Sequence, residues 1–204
     1  MSASSRPTVV FVGICCVDVV LEVASYPTED VECGVNRITR RRGGNAANSA
    51  VVAAILGEVD SVFVGSMTAS AADPTSTYVK IRYNSTTCVL RWIPTAGGVG
   101  TIICVWVLYY SVAWQDFEQH GVTVPKATVV DNSVSMPVSH IIFNQQTGSR
   151  TILHYKDPSF PELCMKNFST AWEHVSQPIA WVHFEGRNVR QYQKMMNEVA
   201  KQSS

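Results

Sequence analysis

The run Arg42-Gly43-Gly44-Asn45-Ala46-Ala47-Asn48 constrains this chain more than any other feature of its sequence. Two adjacent glycines let the backbone approach a ligand without a Cβ atom in the way. A helix that begins here presents the unpaired N–H groups of its first turn. Asn45 and Asn48 are three residues apart, so they share one helical face, and their amides offer the donors and acceptors that sugar hydroxyls need. The alternative interpretation is a glycine turn with an asparagine cap.

The hydrophobic pattern on either side of this run predicts an α/β fold. Residues 8–13 (TVVFVG) form a continuous β-branched and aromatic run, which is typical of a buried parallel strand. Residues 45–56 predict a helix with a face of small side chains that ends at Gly57 and can lie close against a sheet. Residues 61–65 predict a second buried strand. The order strand, excursion, helix, strand indicates an α/β domain.

The remaining elements follow the same alternation. Residues 32–40 alternate loosely and predict an exposed strand. Residues 138–143 and 150–155 predict two strands joined by a hairpin at Gln146-Thr147-Gly148. Beyond them the pattern predicts a short helix over residues 169–175, a buried strand over 179–184 and an amphipathic helix over 188–201.

Composition and charge narrow the function classes. The net charge of +0 argues against a nucleic-acid binder, and the basic cluster Arg40-Arg41-Arg42 is predicted to be solvated. None of the six cysteines has the CxxC spacing of a zinc or redox site. The first residues carry no signal-peptide pattern, so we expect a cytoplasmic chain in which Cys15 and Cys16 are buried free thiols.

Several polar residues follow the predicted strands, where open α/β sheets bind ligands. Asp18 can accept two sugar hydroxyls, although an aspartate in a turn is equally consistent with its position. Arg150 can present its planar guanidinium to phosphate oxygens, or be a solvated hairpin residue. Glu185 and Asn188 close the last strand and open a helix, so they either support the site or begin a turn. His183 lies mid-strand, which favours a core or interface histidine over a catalytic one.

Together these strings resemble the ribokinase-like (PfkB) sugar kinases and, within that family, the ketohexokinases. The resemblance covers residues 8–78 and 116 to about 190. The order and spacing of the matching strings make the resemblance more specific than any single motif does. The matching residues are Gly13, Val17-Asp18-Val19, Tyr26-Pro27-Thr28-Glu29-Asp30, the glycine-asparagine run as far as Ser49, Val64-Gly65-Ser66-Met67, Gly148-Ser149-Arg150-Thr151-Ile152-Leu153 with Tyr155, and His183-Phe184-Glu185-Gly186-Arg187-Asn188.

The resemblance implies a doubly wound α/β sheet with a small β-sheet lid, ATP and Mg²⁺ as co-reactants, and phosphorylation of the C1 hydroxyl of fructose. It implies that the ketose is held by Asp18, Gly44, Asn45 and Asn48, and that Arg150 lies towards the ATP phosphates. It also implies that residues 22–24, 32–40 and 138–155 supply much of the lid, which interlocks with a second subunit in a homodimer or heterodimer.

The chain departs from the family pattern first in its catalytic motifs. Neither the family's Gly-Ala-Gly-Asp string, which supplies an anion hole and the base, nor its Asn-x-x-Glu motif occurs in the sequence. A positioned base alone contributes roughly 10²–10⁴-fold to a rate. We therefore expect a partial kinase domain over residues 1–204, with a sheet that is incomplete at its C-terminal side, doubtful binding of ATP and Mg²⁺, and no activity of its own.

The second departure is an insertion over residues 79–115. Joining Tyr78 directly to Asp116 restores the family spacing, and the insertion carries three of the five tryptophans. Its ends can be encoded by splice-donor-like and splice-acceptor-like codons, so we hypothesise a translated, retained intron, which RNA sequencing across the junction tests. An exposed apolar segment favours aggregation, and we expect poor solubility and marginal stability.

Two alternatives to a ketohexokinase-like kinase stay open. One is an inactive binding or dimerisation module that pairs through the lid with a full-length kinase. The other is a membrane-associated protein that uses the uncharged residues 99–114. A span needs about 20 apolar residues, and the segment has no basic flank, so both features argue against a membrane role.

Overall fold

A computed structural model describes residues 6–68, 78–83, 86–93, 101–106, 108–125, 128–130, 134, 136–176 and 178–202, and between 78 and 111 it describes the backbone alone. The strands are β1 (Thr8–Val12), β2 (Cys16–Val23), β3 (Arg37–Gly43), β4 (Asp60–Val64), β5 (Met67–Thr68), β6 (Tyr78–Tyr83), β7 (Thr86–Ile93), β8 (Thr101–Trp106), β9 (Val129–Val130), β10 (Val138–Asn144), β11 (Arg150–Tyr155) and β12 (Ile179–Phe184). The helices are α1 (Asn45–Leu56), α2 (Leu108–Gln119), α3 (Met165–Trp172) and α4 (Val189–Gln202).

A parallel sheet in the order β12-β1-β4 forms the centre of the molecule. β1 is apolar on both sides because helices cover both faces of the sheet. On one face, Phe11 and Phe63 pack against the small residues of α1 and against Phe117 of α2. On the other face, Val10 and Val62 pack against α3 and α4. This two-sided cover confirms the predicted α/β class.

Helix α1 has the predicted bounds. Ala46, Ala47 and Ala50 are fully buried, so the helix backbone lies close to the sheet. Gly57 adopts the left-handed conformation at φ 75°, and its N–H bonds to the carbonyl of Ala54 as a C-terminal stop. The Ser61 hydroxyl of β4 donates to the carbonyl of Ala50 over 2.7 Å. The helix is thus fixed both by its small residues and by a buried hydrogen bond.

A second sheet, in the order β11-β10-β2-β3, forms the lid. β10 pairs in parallel with β2, and the other two pairs are antiparallel, with the predicted hairpin joining β10 to β11. One register row crosses all four strands and places Arg41, Asp18, Ser139 and His154 side by side. Asp18 is therefore a strand residue of the lid, and the turn interpretation of this residue is wrong.

Four further expectations are corrected by the structure. Arg42 is buried, because its position on β3 directs it to the helices rather than to solvent. The N-cap of α1 is Gly44 and not Asn45. The strand over 179–184 lies at one edge of the central sheet, so Trp181 and His183 are exposed and His183 is not a core histidine. α3 begins at Met165, four residues before the predicted start.

The insertion region contains a separate sheet. β6, β7 and β8 form an antiparallel meander, and none of the other strands that the structure describes belongs to it. The last residues of the region belong to α2, where Ala113 is buried in the core and the indole N–H of Trp114 donates to the carbonyl of Thr68 over 3.0 Å. Residues 99, 100 and 107 of the uncharged segment 99–114 lie outside the described residues. Among the helices that the structure describes, none combines the length and the apolar character needed to span a bilayer.

Candidate functional site

The glycine pair brings the start of α1 against two other segments. A Cβ atom on Gly43 would lie less than 3.0 Å from the carboxylate of Asp18. A Cβ atom on Gly44, whose φ is 98°, would lie less than 3.0 Å from the carbonyl oxygen of Ile14. Gly44 therefore requires glycine, because its clash is with backbone atoms and its φ is positive. At Gly43 the close atoms belong to the Asp18 side chain, so the Asp18 carboxylate lies directly over the backbone that leads into α1.

The Asp18 carboxylate is held from within the lid. The Cys16 thiol donates to Oδ1 of Asp18 over 3.5 Å, and Nε of Arg41 lies 3.9 Å from Oδ2. Burial, followed by the nearby charge of Asp18, raises the pKa of Cys16 to about 12. Cys16 thus stays a protonated donor at neutral pH. The carboxylate retains acceptor capacity for a ligand, because an ionised carboxylate has about four lone-pair sites.

The two asparagines lie on the exposed side of the first turns of α1. Oδ1 of Asn48 accepts a hydrogen bond of 2.7 Å from Nη1 of Arg42. Arg42 is held in turn by the Asp116 carboxylate, 2.6 Å from its Nε, and its guanidinium lies 5.2 Å from the ring centroid of Phe117. The structure therefore places Asp18, Gly44, Asn45 and Asn48 around the same loop.

Glu185 braces this loop from the central sheet. It is buried, and its Oε2 accepts hydrogen bonds from the backbone N–H of Ile14 over 3.0 Å and of Ala46 over 3.3 Å. Its Oε1 accepts from Nε of Arg187 over 2.7 Å. α1 has no side-chain cap of its own, so the carboxylate of a residue that is distant in sequence satisfies its second N–H. Glu185 thus ties the start of α1 to the segment that follows β1.

A cavity of about 530 Å³ is lined in part by Ile14 and Arg187, which are hydrogen-bond partners of Glu185. Its lining includes Ser66, whose hydroxyl is buried without a partner among the described residues, and Lys156, which pairs with Glu162. Burial, with the charge of Arg187, lowers the pKa of the lining residue His154. The other lining residues are Gly13, Phe160, Pro161, Leu163, Asn188 and Tyr192. The cavity therefore combines apolar walls with neutral and charged polar groups.

Arg150 lies elsewhere. It lines a separate cleft of about 540 Å³ on the lid, together with Arg41 and the apolar side chains of Val20, Ile141 and Phe143. Its register partner on β10 is Phe143. Arg150 is thus on the same lid face as Asp18, four register rows further along the sheet, and it does not line the cavity that contains Ser66 and His154.

Sequence patterns missed four residues of this region. Arg42 was hidden within a basic run, although its alternation with Arg41 along a strand is a signal that one of the two faces inward. Ser66 stood in a matching string without an assigned role. Ser139 and His154, which share a hydrogen bond of 3.1 Å, carried no motif at all, because their proximity to Asp18 arises only from strand pairing.

Comparisons with known proteins agree with this architecture. The chain is 29% identical to ketohexokinase of Mus musculus over 189 residues, which cover 92% of this chain and 49% of that protein. It therefore spans about half the length of the curated relative it matches. No family model matches the chain.

Two solved structures resemble the fold over most of the chain. A fructokinase from Xylella fastidiosa has a TM-score of 0.54 at 14% identity, covering 93% of this chain and 46% of that chain. A sugar kinase from Pyrococcus horikoshii that is itself uncharacterized has a TM-score of 0.54 at 13% identity, covering 94% and 49%. The resemblance to ketohexokinase is thus confirmed in sequence, and the chain shares the α/β fold of these two sugar kinases.

Proposed function

We propose that this chain carries the ketose-binding part of a ketohexokinase-like sugar kinase, which phosphorylates fructose at its C1 hydroxyl. The observation that carries the proposal is that the Asp18 carboxylate lies over Gly43, two residues before α1 begins with the exposed Asn45 and Asn48 on its first turns. An ionised carboxylate only accepts hydrogen bonds, whereas an amide also donates them. A hydroxyl group can do both, so a neutral polyol satisfies this combination better than an anion or a cation does.

The residues of the chain would bind and orient the sugar. Hydroxyls donate to Asp18, and neighbouring hydroxyls accept from Asn45 and Asn48. Glu185 keeps the start of α1 against β1 through its bonds to Ile14 and Ala46, which holds these groups in fixed geometry. Such positioning is a large part of phosphoryl-transfer catalysis.

We assign the nucleotide side only to Arg150. ATP would supply the phosphoryl group, and the guanidinium of Arg150 suits its phosphate oxygens. Among the described residues there is no group of three or more His, Cys, Asp or Glu side chains that could hold a metal ion. We therefore assign no Mg²⁺ ligand. Because the 204 residues contain neither the Gly-Ala-Gly-Asp string nor an Asn-x-x-Glu motif, we propose that this polypeptide binds ketoses without turnover by itself.

Calorimetry with D-fructose and a coupled ATP-consumption assay test the proposal on the purified chain. We expect saturable binding without ATP consumption. Asp18→Ala should abolish binding, and Asp60→Asn, at the opposite end of the parallel strands, should leave it unchanged. Adding the missing kinase motifs in a chimera should bring ATP consumption. A wild-type chain that binds no ketose, or an Asp18→Ala variant that binds normally, would contradict the proposal.

The second candidate function is pairing through the lid. The lid face opposite to Asp18 exposes Ile38, Leu153 and Tyr155, each more than half accessible. Exposed apolar side chains on a sheet face favour a protein partner, and we propose that this lid face pairs with a second copy or with an intact kinase. Sedimentation of the wild type against a Leu153→Lys variant tests the pairing. A wild-type chain that is monomeric, and that does not co-purify with the intact kinase, would exclude it.

A further inference from the structure

We propose that Arg42 is a positioning residue of the sugar site, which locks the Asn48 amide so that only its N–H groups face the ligand. The inference concerns the ketose site of the proposed function and rests on it for the class of ligand. It depends on hydrogen-bond geometry that is independent of that function.

The orientation of the Asn48 amide follows from the chemistry of its partner. A guanidinium has five N–H donors and no acceptor. The atom of Asn48 that lies 2.7 Å from Nη1 of Arg42 must therefore be the oxygen Oδ1. Nδ2 then points away from Arg42, and it has no acceptor among the residues that the structure describes. Asn48 can give a ligand two hydrogen bonds from Nδ2 but offers it little acceptor capacity.

Arg42 can impose this orientation because it is itself fixed from three sides. Only 8% of its surface is exposed. Nε donates to Asp116 over 2.6 Å, Nη1 donates to Asn48, and the guanidinium lies 5.2 Å from the ring centroid of Phe117. The Phe117 ring in turn stacks on Phe63 of the central sheet at 5.1 Å between centroids. Rotating Arg42 would break its charge-assisted hydrogen bond to Asp116 and its contact with the Phe117 ring. The guanidinium therefore has a fixed position, and it fixes the orientation of the Asn48 amide.

The consequence is a division of roles between two binding groups. Asp18, as a carboxylate, accepts, and Asn48, as oriented by Arg42, donates. A ligand hydroxyl between them donates to one and accepts from the other. A free asparagine amide can flip and present either end, so loss of Arg42 should weaken binding even though Arg42 does not touch the sugar.

One substitution separates this role from a structural one. In Asn48→Asp a carboxylate oxygen still accepts from Arg42, so the melting temperature should be kept or raised. The second oxygen then faces the ligand as an acceptor instead of a donor, and fructose affinity should fall at least about tenfold. Normal affinity in Asn48→Asp would overturn the inference.

A double-mutant cycle tests whether Arg42 acts through Asn48. Arg42→Lys alone should weaken fructose binding about fivefold to tenfold, and it should have no further effect in an Asn48→Ala background. Additive losses would contradict the inference. Arg37→Lys is the matched control, because Arg37 lies on the same strand but is exposed, 3.9 Å from Glu22.

Nuclear magnetic resonance of the free protein provides a readout that needs no ligand. The side-chain N–H₂ signals of Asn48 should be dispersed and ordered in the wild type and should collapse towards free-amide positions in Arg42→Lys. Identical signals in both proteins would overturn the inference. Failure of the wild type to bind any ketose, with the expected change in these signals, would remove the proposed function and leave the orientation of Asn48 established.

Discussion

Replacement of Glu185 provides the sharpest test of how the site is built. Its two carboxylate oxygens have different partners: Oε2 accepts from the backbone of Ile14 and Ala46, and Oε1 accepts from Arg187. In Glu185→Gln the amide oxygen can occupy the place of Oε2 and keep both backbone hydrogen bonds. Only the bond to Arg187 is lost, because the new N–H₂ group faces another donor. Glu185→Ala loses all three hydrogen bonds.

The magnitudes follow from these partners. A hydrogen bond to a charged group contributes about 1.5–3 kcal/mol, and the longer bond of 3.3 Å to Ala46 belongs at the low end. The pair with Arg187, whose side chain is 55% exposed, contributes at most about 1 kcal/mol. We therefore expect Glu185→Ala to lower the free energy of unfolding by about 3–5 kcal/mol, and Glu185→Gln by about 1 kcal/mol. Against a typical total of about 5–15 kcal/mol, the alanine variant should be close to unfolded.

Urea unfolding followed by circular dichroism measures both variants, with Arg187→Gln as the control. Arg187→Gln should cost no more than Glu185→Gln, because it removes the same contact. Equal losses in Glu185→Ala and Glu185→Gln would refute the reasoning, since the backbone bonds would then contribute nothing beyond the pair with Arg187. A loss below about 1 kcal/mol in Glu185→Ala would refute it as well.

Three further outcomes are expected. Gly44→Ala should prevent stable folding, whereas Gly43→Ala should leave folding nearly intact but displace Asp18 and reduce fructose affinity at least about tenfold. Circular dichroism measures the effect on folding, and calorimetry measures the effect on affinity. Gly34→Ala is the neutral control, because Gly34 has open space around it. Phe117→Leu should lower the free energy of unfolding by about 1–3 kcal/mol because it opens space against the central sheet, and an unchanged urea midpoint would contradict the packing of α2. The free energy of unfolding should fall as pH rises from 9 towards 12, because burial raises the pKa of Cys15 and Cys16 above their ordinary 9.0 and the unfolded chain then binds fewer protons than the folded one. The slope of the free energy of unfolding against pH is about 1.4 kcal/mol per pH unit for each thiol. Cys16→Ala should reduce this slope measurably in urea titrations.

Local patterns in the sequence were sufficient for most of the elements. The bounds of α1 followed from small residues and Gly57, and β1 and β4 followed from continuous apolar runs, because each signal lies within the element it defines. The strand over 179–184 shows the limit of such reasoning. An apolar run predicts burial on both faces, but burial also depends on neighbouring strands, and at the edge of the sheet Trp181 stays exposed.

The candidate residues were chosen from local patterns, and these patterns did not predict the contacts between them. Asp18 and Asn48 were identified by their types and positions, whereas the cap of α1 was assigned to Asn45. In the structure the N-cap residue is Gly44, and the carboxylate of Glu185 accepts the hydrogen bond of the Ala46 N–H. The burial of Arg42 likewise depends on Asp116, far along the chain. Contacts of this kind arise from tertiary packing, and no local pattern contains them.

The origin of residues 79–115 stays a prediction. Ala113 and Trp114 of this segment pack on the core, next to Asp116 and Phe117, which match the family pattern. Deleting the segment would therefore remove the first turns of α2 along with the meander. A deletion variant should be compared with one that retains residues 108–115, so that the contribution of the helix is separated from that of the meander.

The parallel pairing of β2 with β10 has a consequence for how the protein is made. β2 and β3 leave the ribosome early as an isolated two-stranded ribbon, which is marginally stable in water. Their partner begins only at Val138, and at ordinary rates of synthesis roughly 100 residues take on the order of 10 s. Throughout that interval the edge of β2 is open to pairing with other chains. Nascent chains of this protein should therefore depend on chaperones until β10 arrives.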